Sequence, residues 1–296
     1  MIIEKTELIN DIRLALEKRK GFALGKLGFS EQCVAGYPLF IRSNPSQTRL
    51  KAYESVLRFH GEKQIGIFPT DPAFLKKFAD EFVDHLCNLD IIGLFEGPRE
   101  KEIIDGLRLR GKLIPYRLTE PDQSFPDNPT QCYLPLFQNK KILLVSPFAK
   151  LLKERANANT FEKVWSSTGK KWFGPADIST VEFPYSYFTE TDTHRQFGNV
   201  LNLFKAICDK IGNEEFDVAL IGAGALGIPI ASYVKNMGRM GISLGGHLQV
   251  IFGVAGERWK RDPYYREKLI NGSWIDMPVE YRPNNKELVS DTGAYW

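Results

Sequence analysis

Gly222, Gly224 and Gly227 follow the short apolar run Val218–Ile221 at the G-x-G-x-x-G spacing, a pattern suited to holding a phosphate. The chemistry is that of the backbone. One glycine permits a tight turn, one lets a phosphate approach, and one lets helix and strand pack closely. The segment that follows, Leu226 to Met237, is apolar with helical period and stops at Gly238, in the position of a helix C-cap. Its N-terminus offers unpaired N–H groups and a partial positive charge to an anion. A dinucleotide site would also need an acid about 20 residues beyond the first glycine, at the end of the next strand. Here that strand, Ile242 to Leu244, runs into Gly245, Gly246 and His247, and no Asp or Glu occurs between Asp217 and Glu257. Arg239 precedes the strand, so no reader of a 2′-phosphate follows it either. The turn therefore points to a phosphate-bearing ligand other than a nicotinamide dinucleotide, with a purely structural turn as the alternative.

Two other stretches carry groups that can do chemistry. In KILLVSPFAKLLKERANA, Lys141 to Ala158, an apolar strand ends at Ser146 and Pro147 before a helix. Ligands of open α/β sheets sit at the carboxyl ends of strands, so Ser146 and Gly222 are expected at one crevice; Ser146 also suits an N-cap with Pro147 at the first helical position. In GFALGKLGFSEQCVAGYPL, Gly21 to Leu39, Gly25 and Gly28 flank Lys26, and Glu31 follows in a glycine-rich loop. A carboxylate there suits a general base or a metal ligand, against the alternative of a solvated loop acid. The four histidines show no H-E-x-x-H spacing. Of them only His247 stands past a strand end, as a base or as a hydrogen-bonded structural histidine. Neither a G-x-S-x-G elbow nor a G-x-x-x-x-G-K-[ST] loop is present.

The elements that must position these groups alternate. Strands are expected at Gln64 to Phe68, Ile91 to Phe95, Leu113 to Tyr116, Ile142 to Ser146, Val218 to Ile221 and Ile242 to Leu244. Between them lie amphipathic helices. One begins at Asp71 as N-cap with Pro72 in its first turn and turns Phe74, Leu75, Phe78, Phe82 and Leu86 inward. Another spans Thr193 to Ile211, with Phe197, Val200, Leu201, Phe204 and Ile207 as a core stripe, and Leu8, Ile9, Ile12 and Leu16 form one face of an N-terminal helix. The pattern predicts an α/β fold with a Rossmann-like, doubly wound, mostly parallel sheet and helices on both faces. A polar, proline-rich loop, residues 119–135, suits a linker or lid, so one domain over 1–296 with two lobes, 1–135 and 136–296, is compatible with the pattern. Trp274, Tyr295 and Trp296 make the last stretch too aromatic to be left in solvent, and it is expected to pack on the body.

Composition narrows the class. With 296 residues and 43% apolar content the chain buries a substantial core. Its 39 basic and 36 acidic residues are interspersed, leaving a net charge of +3 and no basic stripe for nucleic acid. Cys33, Cys87, Cys132 and Cys208 are scattered, which argues against a disulfide framework or a zinc knuckle. The longest uncharged run, Val218 to Val234, contains 17 residues with three glycines and a proline, short of the ~20 apolar residues that span a bilayer. Without a signal-peptide pattern, a cytoplasmic protein is expected. An oligomer is compatible with all of this.

The segments ALGKLGFSEQ, LLVSPFAKLL, GAGALGIPIASYVKNMG with ISLGGHLQVIFGVAGERW, and the closing GAYW together resemble bacterial proteins encoded with surface-polysaccharide genes and related to the GT-D type of glycosyltransferase. The resemblance implies a Rossmann-like enzyme transferring a sugar from a nucleotide-sugar donor to a glycan or glycolipid acceptor. It places the acid-x-acid pair of that family on Phe29, Ser30 and Glu31, so only the second acid is kept. The pair implies a divalent cation, Mn or Mg; Phe29 in place of the first acid departs from that pattern. Gly222, Gly224 and Gly227 would lie near the diphosphate, with His247 and Gln249 on the same rim. Lys26 and Arg258 are the cations available to stabilise the leaving group, Gly28 borders the acid loop, and Glu31 or His247 would be the base. Beside this stand a nucleotide-dependent Rossmann oxidoreductase and a catalytically inactive, ligand-binding relative.

Overall fold

Seven short apolar runs pair side by side in parallel, and the amphipathic segments between them carry the chain back over the two faces of the sheet. In the computed structural model, which describes residues 2–97, 99–121 and 131–296, the first half contributes α1 (Lys5–Glu17), β1 (Phe22–Leu27), α2 (Phe29–Arg42), α3 (Gln47–His60), α4 (Pro72–Cys87), β2 (Ile91–Leu94), α5 (Glu100–Gly106) and β3 (Lys112–Pro115). The second half begins with β4 (Lys141–Val145), α6 (Ala149–Arg155), α7 (Ala158–Val164) and β5 (Asp177–Val181). It continues through α8 (Thr191–Phe197), α9 (Val200–Gly212), β6 (Val218–Ile221), α10 (Gly227–Asn236), β7 (Met240–Ser243), α11 (His247–Ile251) and α12 (Glu257–Arg261).

The strand order is β3-β2-β1-β7-β6-β4-β5, a Rossmann-like doubly wound α/β fold. From β1 the chain winds outward to β3, crosses to β4, reaches the far edge at β5 and returns through β6 to β7 beside β1. Leu24 of β1 stands opposite both Ile91 and Ile242, so strands from either side of residues 119–135 share one sheet. The two windings part at β1 and β7, and a crevice opens over their carboxyl ends.

Alternate side chains feed two apolar layers. Leu24, Ile91, Leu144, Leu220 and Ile242 face α1, α6, α7 and α11; Ala23, Ile92, Leu143, Val145 and Ile221 face α2, α4, α9 and α10. Burying each large apolar side chain contributes about 1.5–3 kcal/mol. α4 matches its expected form: Asp71 accepts from the Phe74 N–H at 3.0 Å, and Leu75, Phe78, Phe82 and Leu86 are buried. Among the described residues no helix is long and apolar enough to cross a membrane.

Three expectations are corrected. Residues 64–68 are not a strand: Gly61–Ile65 prolongs α3 as a wide helical turn, Gly66 takes a φ of 76°, and Pro69 lacks the N–H that a sheet ladder requires. The stretch from Gly21 is not a loop up to Glu31, because Phe22 to Leu27 forms the fully buried central strand β1 and Phe29 already begins α2. Thr193 to Ile211 is two helices, since Gly198 takes a φ of 71° and Asn199 caps α9 by accepting from the Asn202 N–H. The edge strand β5 carries too weak an apolar pattern to have been expected. Of the 119–135 loop, residues 122–130 lie outside the described residues.

The last stretch packs on the body. Trp274 and Trp296 are buried; the Trp296 indole donates to the Tyr185 hydroxyl at 2.9 Å and meets the rings of Tyr185 and Tyr187 edge-on. Trp296→Ala leaves a hole between them, expected to cost about 3 kcal/mol and to lower Tm by roughly 5 °C or more in calorimetry. An unchanged Tm would show that this packing contributes nothing.

Candidate functional site

The carboxyl ends of β1, β4, β6 and β7 surround a cavity of about 110 Å³, walled by Lys26, Glu31, Tyr116, Gly222, Gly224, Gly245, Gly246 and Gln249, with Tyr185, Tyr187, Tyr295 and Trp296 opposite. A larger cleft, about 450 Å³, opens at the amino-terminal edge of the sheet between Lys18, Asp90 and Lys112. Its Lys112 and Lys235 are already paired with Asp11 and Asp90, and it contains none of the groups above.

At the end of β1 the ammonium of Lys26, 7% exposed, donates to Oε1 of Glu120 at 2.6 Å and lies 4.2 Å from the centre of the Tyr116 ring. Glu120 turns its other oxygen to Nδ1 of His247, 3.4 Å away, and its carbonyl accepts from Lys5 of α1. A lysine, a carboxylate and an imidazole thus form one buried chain joining β1, the turn after β3 and the start of α11. Removing one member of such a pair leaves an uncompensated buried charge, at a cost of roughly 3–5 kcal/mol.

Glu31 sits in the first turn of α2. Gly28, the N-cap, has no side chain to offer, and the Glu31 carboxylate folds back over it: a Cβ on Gly28 would lie 2.7 Å from Glu31 Oε2 and 3.5 Å from the Tyr116 hydroxyl. Protein surrounds the carboxylate, which keeps part of its surface toward the cavity. Burial raises its pKa from 4.5 to about 7, against the opposing pull of its own backbone N–H, Lys26 and Arg258. Burial likewise pushes the Tyr116 hydroxyl up, with Glu31 and Glu120 adding to the effect.

The glycines divide by what they make room for. Gly224 has a φ of 49°, and a Cβ there would lie 2.7 Å from the Ile65 carbonyl oxygen. Backbone packing therefore demands that glycine. A Cβ on Gly227 would meet Ser243 Oγ at 2.4 Å, so Gly227 lets α10 close onto β7. Gly222 lies against the Gly245 carbonyl, whereas Gly245, with a φ of 57°, faces open space on the cavity rim.

The remaining expected residues build the opposite wall. Gln249 is fully buried and donates to the carbonyls of Val254 and Tyr295, at 3.2 and 3.0 Å, while its Oε1 has no partner. Arg258 donates to the Tyr295 hydroxyl at 2.9 Å and to Asp291 at 2.8 Å, and lies over the Tyr295 ring. Ser146 is buried, and its hydroxyl accepts from the Phe148 N–H at 3.3 Å within a turn; it is not the N-cap expected from sequence, because α6 begins only at Ala149, after Phe148. The structure thus gathers Lys26, Glu31, Gly222, Gly224 and Gln249 at the cavity, with Gly28 against the Glu31 carboxylate. Gly227, Ser146, His247 and Arg258 stand behind it. Sequence reasoning missed Glu120, Tyr116, Tyr185 and Tyr187; Tyr116 closes the expected strand Leu113 to Tyr116 and Glu120 comes four residues after it, at the carboxyl end where a site residue belongs.

The donor set does not fit a divalent cation. Phe29 stands 41% exposed at the first acid position, Glu120 is bonded directly to the Lys26 ammonium, and among the described residues no three His, Cys, Asp or Glu side chains gather. Compared with protein-family models, curated proteins and solved structures, the chain matches none of them.

Two outcomes follow. Gly224→Val should lower Tm by driving a branched side chain onto the Ile65 carbonyl; a variant melting with the wild type would show that the loops can part. For Glu31 the folded pKa is raised, so the native state holds its proton more tightly than the unfolded chain and stability falls as pH rises from about 4.5 to about 7. Glu31→Gln has no such proton. Its Tm relative to wild type is therefore expected to climb between about pH 5 and pH 8 in paired thermal scans, and a constant difference would place Glu31 in water.

Proposed function

We propose that this chain is a glycosyltransferase that moves a sugar from a nucleotide-sugar donor to a glycan or glycolipid acceptor, as the resemblance to GT-D enzymes suggests. The observation that carries the reading is Glu31, a half-buried carboxylate with a pKa raised to about 7, facing a cavity rimmed by Gly222 and Gly245. A base poised near neutrality and a rim of bare backbone are what deprotonating a hydroxyl beside a diphosphate requires.

In the proposed step an acceptor hydroxyl within hydrogen-bond reach of Glu31 passes its proton to the carboxylate. Its oxygen bonds to the anomeric carbon while the bond to the donor's diphosphate oxygen breaks, and the nucleoside diphosphate leaves with the electron pair. The N-terminus of α10, with Arg258 behind the rim, supplies positive potential for that leaving group. Lys26, neutralised by Glu120, holds the wall between Glu31 and His247, and the step uses no metal. Glu31 is favoured over His247 as base because His247 is 4% exposed and held by Glu120. The oxidoreductase alternative is disfavoured by β7, which ends in Ser243 and runs into Leu244 with no carboxylate for a ribose. A nucleotide-activated donor is consistent with cytoplasmic placement.

Thermal shift against a panel of nucleotide-sugars and NAD(P)(H) tests the donor: stabilisation by a nucleotide-sugar is expected, and tight NADH binding with no response to any sugar nucleotide would overturn the proposal. Glu31→Gln should keep donor binding and lose transfer by about 10²–10⁴-fold. Wild-type transfer should rise with pH through about 7, the limb on which Glu31 becomes a base. Full activity in the variant would remove Glu31 from the mechanism.

A further inference from the structure

α3 is a surface helix with an apolar outer stripe. Only Tyr53 and Leu57 of its fourteen residues are buried, whereas Ala52, Val56 and Phe59, at positions i, i+4 and i+7, line the solvent side. Val56 is 48% and Phe59 49% exposed. Lys51 and Arg58 flank the stripe at the same seven-residue spacing. Arg49 lies in the first turn of the helix and Lys63 follows it, against two acids, of which Glu54 accepts from the Tyr37 hydroxyl and Glu62 from the Thr70 hydroxyl.

The surface continues toward the first turn of α2, which holds Glu31. Phe59 meets the His60 ring at 5.5 Å, and His60 meets Phe29 at 5.1 Å. Phe29 lies two residues before Glu31. On the other side of Gly28, Phe95, 44% exposed, bonds through its N–H to the Leu27 carbonyl and packs edge-on to Tyr116; Glu96 beside it is the acid of that flank.

We infer that this face is a peripheral membrane-binding surface, with Val56 and Phe59 entering the headgroup region and Lys51 and Arg58 meeting anionic lipid. Charge complementarity selects this occupant: in a symmetric pair of copies the same cations would face one another, whereas anionic headgroups neutralise them. The acceptor class follows if the glycosyltransferase reading holds. A lipid-linked acceptor carried in that surface arrives at the Glu31 side of the cavity, past Phe29 and Phe95.

Co-sedimentation of the full chain with phosphatidylcholine vesicles, with and without phosphatidylglycerol, tests it. Binding to the anionic vesicles is expected, weakened by salt, and lowered about fivefold or more by Arg58→Glu. Val56→Ser with Phe59→Ser should lower binding while leaving Tm and transfer to a soluble acceptor at wild-type values, since neither side chain is buried. No binding to anionic vesicles, equal binding to neutral ones, or binding indifferent to the serine substitutions would overturn the inference. So would a concentration-dependent dimer that the same substitutions abolish. Vesicle binding is read without sugar transfer: an active enzyme that ignores vesicles sinks this surface alone, and vesicle binding without nucleotide-sugar binding sinks the glycosyltransferase alone.

Discussion

A buried ammonium at the end of the central strand sets the terms for everything around it. Taking the Lys26 charge out of water costs several kcal/mol, and only direct contacts offset that cost. Glu120 bonds it and the Tyr116 ring lies against it. Glu120 cannot serve Lys26 alone, because its second oxygen faces His247 and its carbonyl takes the Lys5 ammonium. One residue, through its side chain and its carbonyl, therefore ties α1, β1, the turn after β3 and α11 together.

Glu31 stays weakly acidic beside a lysine because the penalty of burial outweighs the combined pull of its own backbone N–H, Lys26 and Arg258, and the carboxyl rises to about 7. Gly28 contributes by absence: its missing side chain leaves the space into which the carboxylate folds. Structure and reactivity meet in that residue pair.

Backbone contacts shape the opposite wall. A Cβ on Gly246 would lie 2.1 Å from the Tyr295 ring, and one on Gly256 would lie 2.5 Å from the Tyr295 carbonyl. Gln249 and Arg258, both expected to contact a ligand, here hold Tyr295 by its carbonyl and its hydroxyl. The aromatic wall of Tyr185, Tyr187 and Trp296 depends on that anchoring, and so does the narrowness of the cavity. Whatever enters must fit between Glu31 and a wall built from the last residues of the chain.

Local patterns determined the class of the molecule. Short apolar runs alternating with amphipathic helices specify a parallel sheet covered on both faces, because each run buries both sides and each helix only one. Val218 to Ile221, the glycines after it and the Asp71-capped helix were legible for that reason: their signals lie within a dozen residues. The helix break at Gly198 and the strand at Phe22 were obscured because glycine reads alike in a turn, a cap and a tightly packed strand, and only neighbours distinguish them. Glu31, Lys26 and Gly222 could be named from sequence, but their surroundings could not. Glu120 lies 94 residues from the lysine it neutralises, and Tyr295 packs on Gly246 from a separate segment of the chain. Burial and charge pairing are properties of space, so tertiary structure alone decided that Glu31 is a half-buried acid with its pKa raised to about 7 and that Gly224 answers to Ile65.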